Sequence, residues 1–588
     1  MLMRMLRGPR FAFLVCLLLA VPPLARAQSP DGPLAAALAT AARGPEGHHL
    51  GPIGLTATGR RIAAIEPAAP ALATQPRVVI VGGLDGSADG ARAVLDVVAW
   101  RLAADPPVRQ RRNFQLAAVP CVFADRCDAD GPAPAAGAAT GGEPATFPPD
   151  KGYFDAVEQR ETRYLWRWIT MLGPDLVIEV RAGRSLEWRT NALGAPKQPE
   201  APAAAADSLA GALGAANAAG LAGVAALQVS GPRADVVEAL REFLQVKVLA
   251  TPSPMRRALA LRESRAPLGI ARLLAARYPA SPIMSYIPAL SWSGALRLSQ
   301  LTGERQYRDR VVAQMTPFLT GEQPAIAEPI LLTSLAGHQA FFDLAEFESN
   351  AQADALGRKA ADFILAQTPE EIVRFATSWT DDMFMATSVL ARAGKRTGDA
   401  RYADAVARLL TTYATTLQRA DRIFVHAESG PHAWGRGNGF AAFGLMEALT
   451  HLPESWPARP QVLDAFRRLM DGMRRQQAPD GSWHQVVDEP GTYREFTVTA
   501  MTVAAMTRGM RLGWIDQSFD AVIDRGWRAV ASRITETGEL VDVCSGTGAG
   551  RNATREYYLH RPAITGADDR GGAMALTAAL EIHALRTR

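Results

Sequence analysis

Trp379-Thr380-Asp381-Asp382-Met383-Phe384-Met385, followed further on by His426-Ala-Glu428-Ser-Gly-Pro-His-Ala-Trp434-Gly435-Arg436-Gly437-Asn438-Gly439-Phe440, is the stretch that decides how the chain is read. Two adjacent carboxylates among tryptophan, phenylalanine and methionine are costly to desolvate, so they point to a hydrogen-bonded site in which one of them has a displaced pKa. A general acid/base needs such a group. The same pair also suits the start of a helix, where carboxylates satisfy unpaired amides. Both readings hold together. The second cluster brings a histidine, a carboxylate, a tryptophan, an arginine and an amide among glycines, which are groups suited to stacking on a sugar ring and holding an acidic substituent.

Outward from this stretch, the chain from Pro254 onward reads as helix after helix: Ser291 to Leu301, Arg308 to Leu319, Ala351 to Gln367, Met383 to Gly394, Tyr402 to Arg419 and Phe440 to Leu452. Apolar residues recur at helical spacing and the breaks hold Gly, Pro and Asp. Thr302-Gly-Glu-Arg-Gln-Tyr307-Arg-Asp309-Arg-Val311 is echoed 95 residues later by Thr397-Gly-Asp-Ala-Arg-Tyr402-Ala-Asp404-Ala-Val406. A helical hairpin with its loops takes roughly 45 to 50 residues, so the echo spans two hairpins. Hairpins repeated in this way predict an α/α toroid whose inner helices direct their loops to a common cleft.

Six motifs in this half follow one another: Trp379 to Met385, Phe424-Val-His426, Trp434 to Phe440, Gly481-Ser-Trp483-His484-Gln485-Val-Val-Asp488, Tyr493-Arg-Glu495-Phe-Thr-Val-Thr-Ala-Met501 and Asp542-Val-Cys544-Ser-Gly-Thr547-Gly548. In that order they resemble glycoside hydrolase family 105, the unsaturated rhamnogalacturonyl and glucuronyl hydrolases. The resemblance runs from about Met284 to the end of the chain. It implies an (α/α)6 barrel and the hydration of a C4=C5 enol ether at the non-reducing end of a polysaccharide-lyase product. It also implies an aspartate of the first motif beside the sugar, which carries over to Asp382 with Asp381 its neighbour. The family's second aspartate, the general acid/base, falls in a loop that is here only Ala427 to Ala433, where the sole carboxylate is Glu428. Three alternatives stay open: Glu428 replaces that acid, the Asp381-Asp382 pair does the proton work alone, or the site has drifted in specificity. Trp379, His426, Trp434, Arg436, Asn438, Trp483 and His484 are the candidate substrate-binding residues. A carbohydrate-binding protein with the same barrel and no activity is the competing reading.

The first half has a different pattern. Arg77-Val-Val-Ile-Val81, Gln115-Leu-Ala-Ala-Val-Pro120 and Asp175-Leu-Val-Ile-Glu-Val180 read as buried strands, with helices near Ala91 to Ala104 and Glu158 to Leu172 between them. Such alternation predicts an α/β domain with a largely parallel sheet. Residues 28 to about 75 are weakly patterned, and of the Ala/Gly-rich segments Asp128 to Thr146 and Glu200 to Gly223 the second has some helical character. The order Val-Gly82-Gly83-Leu84-Asp85-Gly86-Ser87-Ala88, then Phe147-Pro-Pro, then Val180-Arg181-Ala-Gly183, resembles the zinc carboxypeptidases. In that resemblance Asp85, Ala88 and Arg181 stand where the three metal ligands would be. A zinc site needs ligands of the right type, so the expectation is a degenerate peptidase-like domain with no catalytic zinc.

The expected organisation is therefore a signal peptide over 1–27, an α/β domain over 28–253 and an (α/α)6 barrel over 254–588. The signal is read from the basic start, the apolar Phe11 to Val21 and the small-residue site Ala25-Arg-Ala27. The apolar run is too short to span a bilayer, which makes the expected product secreted or periplasmic. Export permits a disulfide between Cys121 and Cys127, leaving Cys544 unpaired and buried. With 48% hydrophobic and 21% charged residues, 588 residues suffice for more than one core. A formal charge of +4 with no basic run among aromatics gives nucleic-acid binding no support. The expected partner is an anionic oligosaccharide, and no metal or cofactor is called for.

Overall fold

The computed structural model describes residues 32–43, 47–68, 75–103, 114–127, 145–149, 159–194, 201–245, 252–548 and 553–587. The predicted signal peptide and most of the 128–146 segment lie outside the described residues. Strands β1 (His48–Leu55), β2 (Arg61–Pro67), β3 (Arg77–Val81), β4 (Gln115–Val119), β5 (Leu176–Ala182), β6 (Glu187–Thr190) and β7 (Ala225–Gly231) form one sheet in the order β1-β2-β4-β3-β5-β7-β6. Its centre, β4-β3-β5-β7, is parallel, as the continuous apolar runs predict. The edges are antiparallel, and the β1-β2 hairpin was not legible in the sequence. β1 carries Gly51, Pro52 and Gly54 with a register irregularity at Pro52/Gly54, which erases the alternation that marks a strand. Helices α1 (Ala88–Leu102), α2 (Arg160–Leu172) and α3 (Arg233–Gln245) belong to this domain, while the described residues 201–223 hold the short helix Leu209–Ala212. Cys121 and Cys127 are disulfide-bonded with Cα atoms 6.4 Å apart, and Cys544 is free and buried, as expected.

From Pro254 the chain is helical. After α4 (Pro254–Glu263) come α5 (Pro267–Arg277), α6 (Tyr286–Thr302), α7 (Arg305–Leu319), α8 (Gln339–Glu348), α9 (Ala351–Ile364), α10 (Thr380–Thr397), α11 (Ala400–Thr416), α12 (Gly435–His451), α13 (Arg459–Arg475), α14 (Phe496–Arg511), α15 (Asp520–Ser532), the short α16 (Arg555–Leu559) and α17 (Asp569–Arg586). Helices α6, α8, α10, α12, α14 and α17 touch in that cyclic order, α17 closing on α6; the outer helices α7, α9, α11, α13 and α15 each pack against the inner helix they follow, and α5 packs against α17. Among the described residues this is a ring of six inner and six outer helices. The repeat seen in the sequence falls where an inner helix turns into an outer one. Gly303 and Gly398, at φ of 75° and 69°, end α6 and α10, and their amides close on Ser299 O and Gly394 O.

The glycine-rich Trp434 to Phe440 motif opens the inner helix α12, five residues before the sequence pattern predicts a start. Helix propensity disfavours glycine, but contact demands it here: a Cβ on Gly444 would lie 2.2 Å from Met383 O of α10. The two domains are joined through charge and core. Arg61 of β2 makes a paired contact to Glu489 at 2.9 and 3.1 Å, Arg494 reaches Glu66 at 2.6 Å, and Arg167 pairs with Asp542 at 2.9 Å. Leu55 and Tyr164 of the sheet domain are members of the barrel's apolar core.

Candidate active site

The inner helices run with their N-termini at one end, and the candidate residues gather there. Trp379 sits at the N-cap of α10 and bridges to Ala427, while the Thr380 amide donates to His426 O at 2.9 Å. The loop after α11 is thereby laid across the first turn of α10. Asp381 and Asp382 are neighbours on that turn, about 100° apart around the helix, so they face different surroundings.

Asp382 turns outward to α11. Its carboxylate accepts from the Thr377 amide at 2.8 Å, the Thr377 hydroxyl at 2.9 Å and the Tyr413 hydroxyl at 2.8 Å. Burial pushes its pKa up to about 6, against the pull of the Tyr413 and Thr377 hydrogen bonds. Asp381 turns the other way. Its Oδ2 lies 3.0 Å from Nε2 of the fully buried His426, whose Nδ1 lies 2.6 Å from the Tyr558 hydroxyl. Burial, then the Asp381 charge, drives the Tyr558 phenol well above its ordinary pKa, so it stays protonated. With neutral imidazole, the tautomer that satisfies all three groups has Tyr558 donating to Nδ1 and Nε2–H donating to Asp381.

Aromatic rings enclose this chain. Trp379, Trp434 and Tyr558 lie 5.3, 4.7 and 5.6 Å from the His426 ring. Beside it runs the turn that follows β10 (Leu540–Cys544), where three successive carbonyls each accept from an arginine: Cys544 O from Arg436 at 2.7 Å, Ser545 O from Arg570, and Gly546 O from Arg561 at 2.6 Å. Arg436 is buried and also lies over the Trp434 ring at 5.1 Å. The turn spans the site, since a Cβ on Gly546 would lie 3.4 Å from Arg436 Nη2 and one on Gly548 would lie 3.7 Å from Trp379. Three guanidiniums so placed suit an acidic sugar.

The structure thus brings together Trp379, Asp381, His426, Trp434 and Arg436. It places the other expected residues elsewhere. Asp382, onto which the resemblance carried the sugar-side role, faces away as described. Glu428 is exposed in a tight turn between Ala427 and Gly430. Asn438 spends its amide on the backbone, accepting from Phe424 N at 2.8 Å and donating to Phe424 O and Trp434 O at 2.9 and 3.0 Å. It pins the loop to α12 and leaves nothing for a substrate. Trp483 is fully buried, its indole donating to Met473 O at 2.7 Å. His484 lies beside Tyr164 and Trp168 of the sheet domain, with Nδ1 2.7 Å from Thr492 O. Burial, then the Arg494 charge, pushes it down to about 4. Both belong to the hairpin of β8 (Trp483–His484) and β9 (Arg494–Glu495), which supports the domain junction.

Tyr558, Arg561 and Arg570 were missed as site residues. Tyr558 is 132 residues from His426 and carries no local motif, so only the ring closure reveals it. In the sheet domain, Asp85 Oδ2 accepts from the Ala182 amide at 3.0 Å and Arg181 pairs with Glu179 at 2.5 Å. No cluster of three or more metal-ligating side chains occurs among the described residues.

The model of Glycosyl Hydrolase Family 88 matches residues 275–586, more than half of the chain, and the protein belongs to that family. Among its relatives, an unsaturated 3S-rhamnoglycuronyl hydrolase of Alteromonas sp. is 27% identical over 175 residues, 28% of this chain and 42% of that protein. The chain thus spans less than half the length of that relative. The unsaturated rhamnogalacturonyl hydrolase YesR of Bacillus subtilis is 23% identical over 290 residues, 47% of this chain and 72% of that one. A solved family 105 glycoside hydrolase from C. acetobutylicum is 20% identical, covers 54% of this chain and 99% of its own, and superposes with a TM-score of 0.48. No helix among the described residues is long and apolar enough to cross a membrane.

Proposed function

We propose that the barrel removes an unsaturated uronyl residue from the non-reducing end of an oligosaccharide made by a polysaccharide lyase. The observation that carries this is the Asp381–His426–Tyr558 chain, closed to water on the histidine side and open at Asp381, whose side chain keeps 19% of its exposure. The relatives named above act on unsaturated glycuronyl and rhamnogalacturonyl compounds. Their substrates contain a C4=C5 enol ether, which one proton suffices to activate. The Asp381–His426 pair carrying one extra proton is the acid: it adds that proton to C4 as the double-bond electrons move, leaving an oxocarbenium ion at C5. Having lost it, the pair is the base that takes a proton from the water adding at C5. The resulting hemiketal opens and the remaining sugar leaves. Arg436, Arg561 and Arg570 hold the turn against which the uronate carboxylate binds, and Trp379 supplies a stacking face.

This chemistry differs from displacement at C1 by two carboxylates. Reaction in heavy water must leave deuterium at C4 of the released keto acid while the ultraviolet absorbance of the double bond falls. Turnover without deuterium at C4 sinks the mechanism. If no unsaturated oligosaccharide loses its absorbance, the hydrolase reading fails. The exported state expected from residues 1–27 and the degenerate carboxypeptidase-like reading of the sheet domain belong to the same proposal. The mixed sheet supports the latter.

A further inference from the structure

The inner helices gather the active-site residues at their N-terminal ends. Towards their C-terminal ends the same six helices line a second cavity of about 420 Å³, within the range of small-molecule sites. Aromatic rings fill the axis between the two: Trp434 meets Phe440 at 6.4 Å, Phe440 meets Phe384 at 6.1 Å, and Phe384 meets Phe443, which lines the cavity, at 5.7 Å. A sugar at Asp381 therefore does not extend into it. The cavity's own rim is at the other end of the barrel, where Lys395 and Glu346 form a half-exposed pair at 2.9 Å.

Its charge does not balance. Glu581, fully buried, accepts from Arg297 at 2.5 Å, Arg508 at 2.8 Å and Arg511 at 3.1 Å. Glu447 accepts from Arg508 at 3.0 Å and from Arg392, which also holds Asp343 at 2.8 Å. Four arginines thus meet three carboxylates, and the Lys395 pair is neutral in sum. Burial, then the Arg392 charge, lowers the pKa of His451, which enters as a neutral ring. One positive charge is left over, and an unbalanced charge away from bulk water is costly.

The surplus falls on Arg297. Its Nη1 is spent on Glu581, and among the described residues nothing accepts from its Nε or Nη2. Arg61 grips both oxygens of Glu489 through that same Nε–Nη2 edge, so on Arg297 the edge is open to a carboxylate. Ser293, one turn earlier on α6, and Gln339 of α8 line the same cavity, and neither the Ser293 hydroxyl nor Gln339 Nε2 has a hydrogen-bond partner among the described residues. Gln339 is 1% exposed, so its amide is a buried donor without an acceptor. Leu290, Phe443 and Met446 add apolar wall. The three donors stand more than a turn before the ends of α6 and α8, beyond the reach of the helix C-terminal dipoles that repel an anion.

We propose that this cavity binds a small monocarboxylate, its carboxylate on the Nε–Nη2 edge of Arg297 and its body against Ser293, Gln339 and Phe443, as a ligand site separate from the active site. Calorimetry on the full-length protein with acetate, benzoate and glucuronate, each beside its neutral amide, tests it: the carboxylate is common and the bodies differ. At least one acid should bind about tenfold or more tighter than its amide, and Arg297→Gln should weaken that acid by about tenfold or more. Gln339→Met removes the unpaired amide at nearly constant volume, so it should fold as the parent does and weaken the same acid by about threefold to tenfold. No binding of any acid, equal binding of acid and amide, or an affinity unmoved by Arg297→Gln would overturn the proposal. Where Arg297→Gln does not fold, an affinity unmoved by Gln339→Met overturns it instead.

Discussion

At the scale of the residue, two adjacent aspartates have been given opposite work by one helical step. Asp382 is buried with a pKa near 6, above its usual value, and that sets a sign. A carboxyl whose folded pKa is raised favours folding in its protonated form, so its contribution is full below about pH 4 and is lost as pH rises through 6. The loss is about 3 kcal/mol for a shift of this size. Asp382→Asn removes the ionisation while its amide still fits Thr377 and Tyr413. The variant should match the parent protein near pH 4 and exceed its stability by up to about 3 kcal/mol near pH 7, read from urea midpoints. Equal stability at both pH values would show that Asp382 ionises freely. The sequence showed that one carboxylate here is unusual but not which, because a pair at the start of a helix fits either orientation until Tyr413 on the neighbouring helix is in place.

At the scale of the element, the inner helices α6, α10 and α12 were legible from their apolar period, α12 only from Phe440 onward because glycines open it, while α8, α14 and α17 were not among the stretches read as helix. Gly444 lets α12 lie against Met383 O of α10, so Gly444→Ala should destabilise the protein by about 1 to 3 kcal/mol or more through overpacking. Gly269, in the outer helix α5, has open space around its missing Cβ. Gly269→Ala should leave stability unchanged or raise it by up to about 1 kcal/mol. Thermal melts of the two variants decide whether the glycines of α12 are contacts or only loose turns. The 95-residue echo was readable for the opposite reason, since a left-handed glycine after an inner helix leaves a local signature. Strand β1 left none, because Pro52 and its flanking glycines break the alternation.

At the scale of the whole molecule, the two domains share buried charge. Glu66 of β2 accepts from Trp168 at 2.7 Å and from Arg494 of the β8-β9 hairpin at 2.6 Å. Glu66→Ala leaves the mostly buried Arg494 guanidinium with Asp480, 3.6 Å away, as its remaining carboxylate, and should cost about 1 to 3 kcal/mol, lowering a single calorimetric transition without splitting it. Two separate transitions in the parent protein would show that the domains unfold independently. Pairings such as Arg61 with Glu489 join residues more than 400 positions apart, so the junction of the two domains leaves no local signature in the sequence. The central claim, that the proton for C4 comes from Asp381 with His426 and not from Asp382 or Glu428, is tested most directly by one comparison. The rate of absorbance loss on an unsaturated oligosaccharide is measured for Asp381→Asn, Asp382→Asn and Glu428→Gln beside the parent protein. The account predicts a fall of about 10² to 10⁴ in kcat for Asp381→Asn alone, with the other two within about tenfold of the parent. Near-normal turnover of Asp381→Asn, or a comparable collapse in Glu428→Gln, would contradict it.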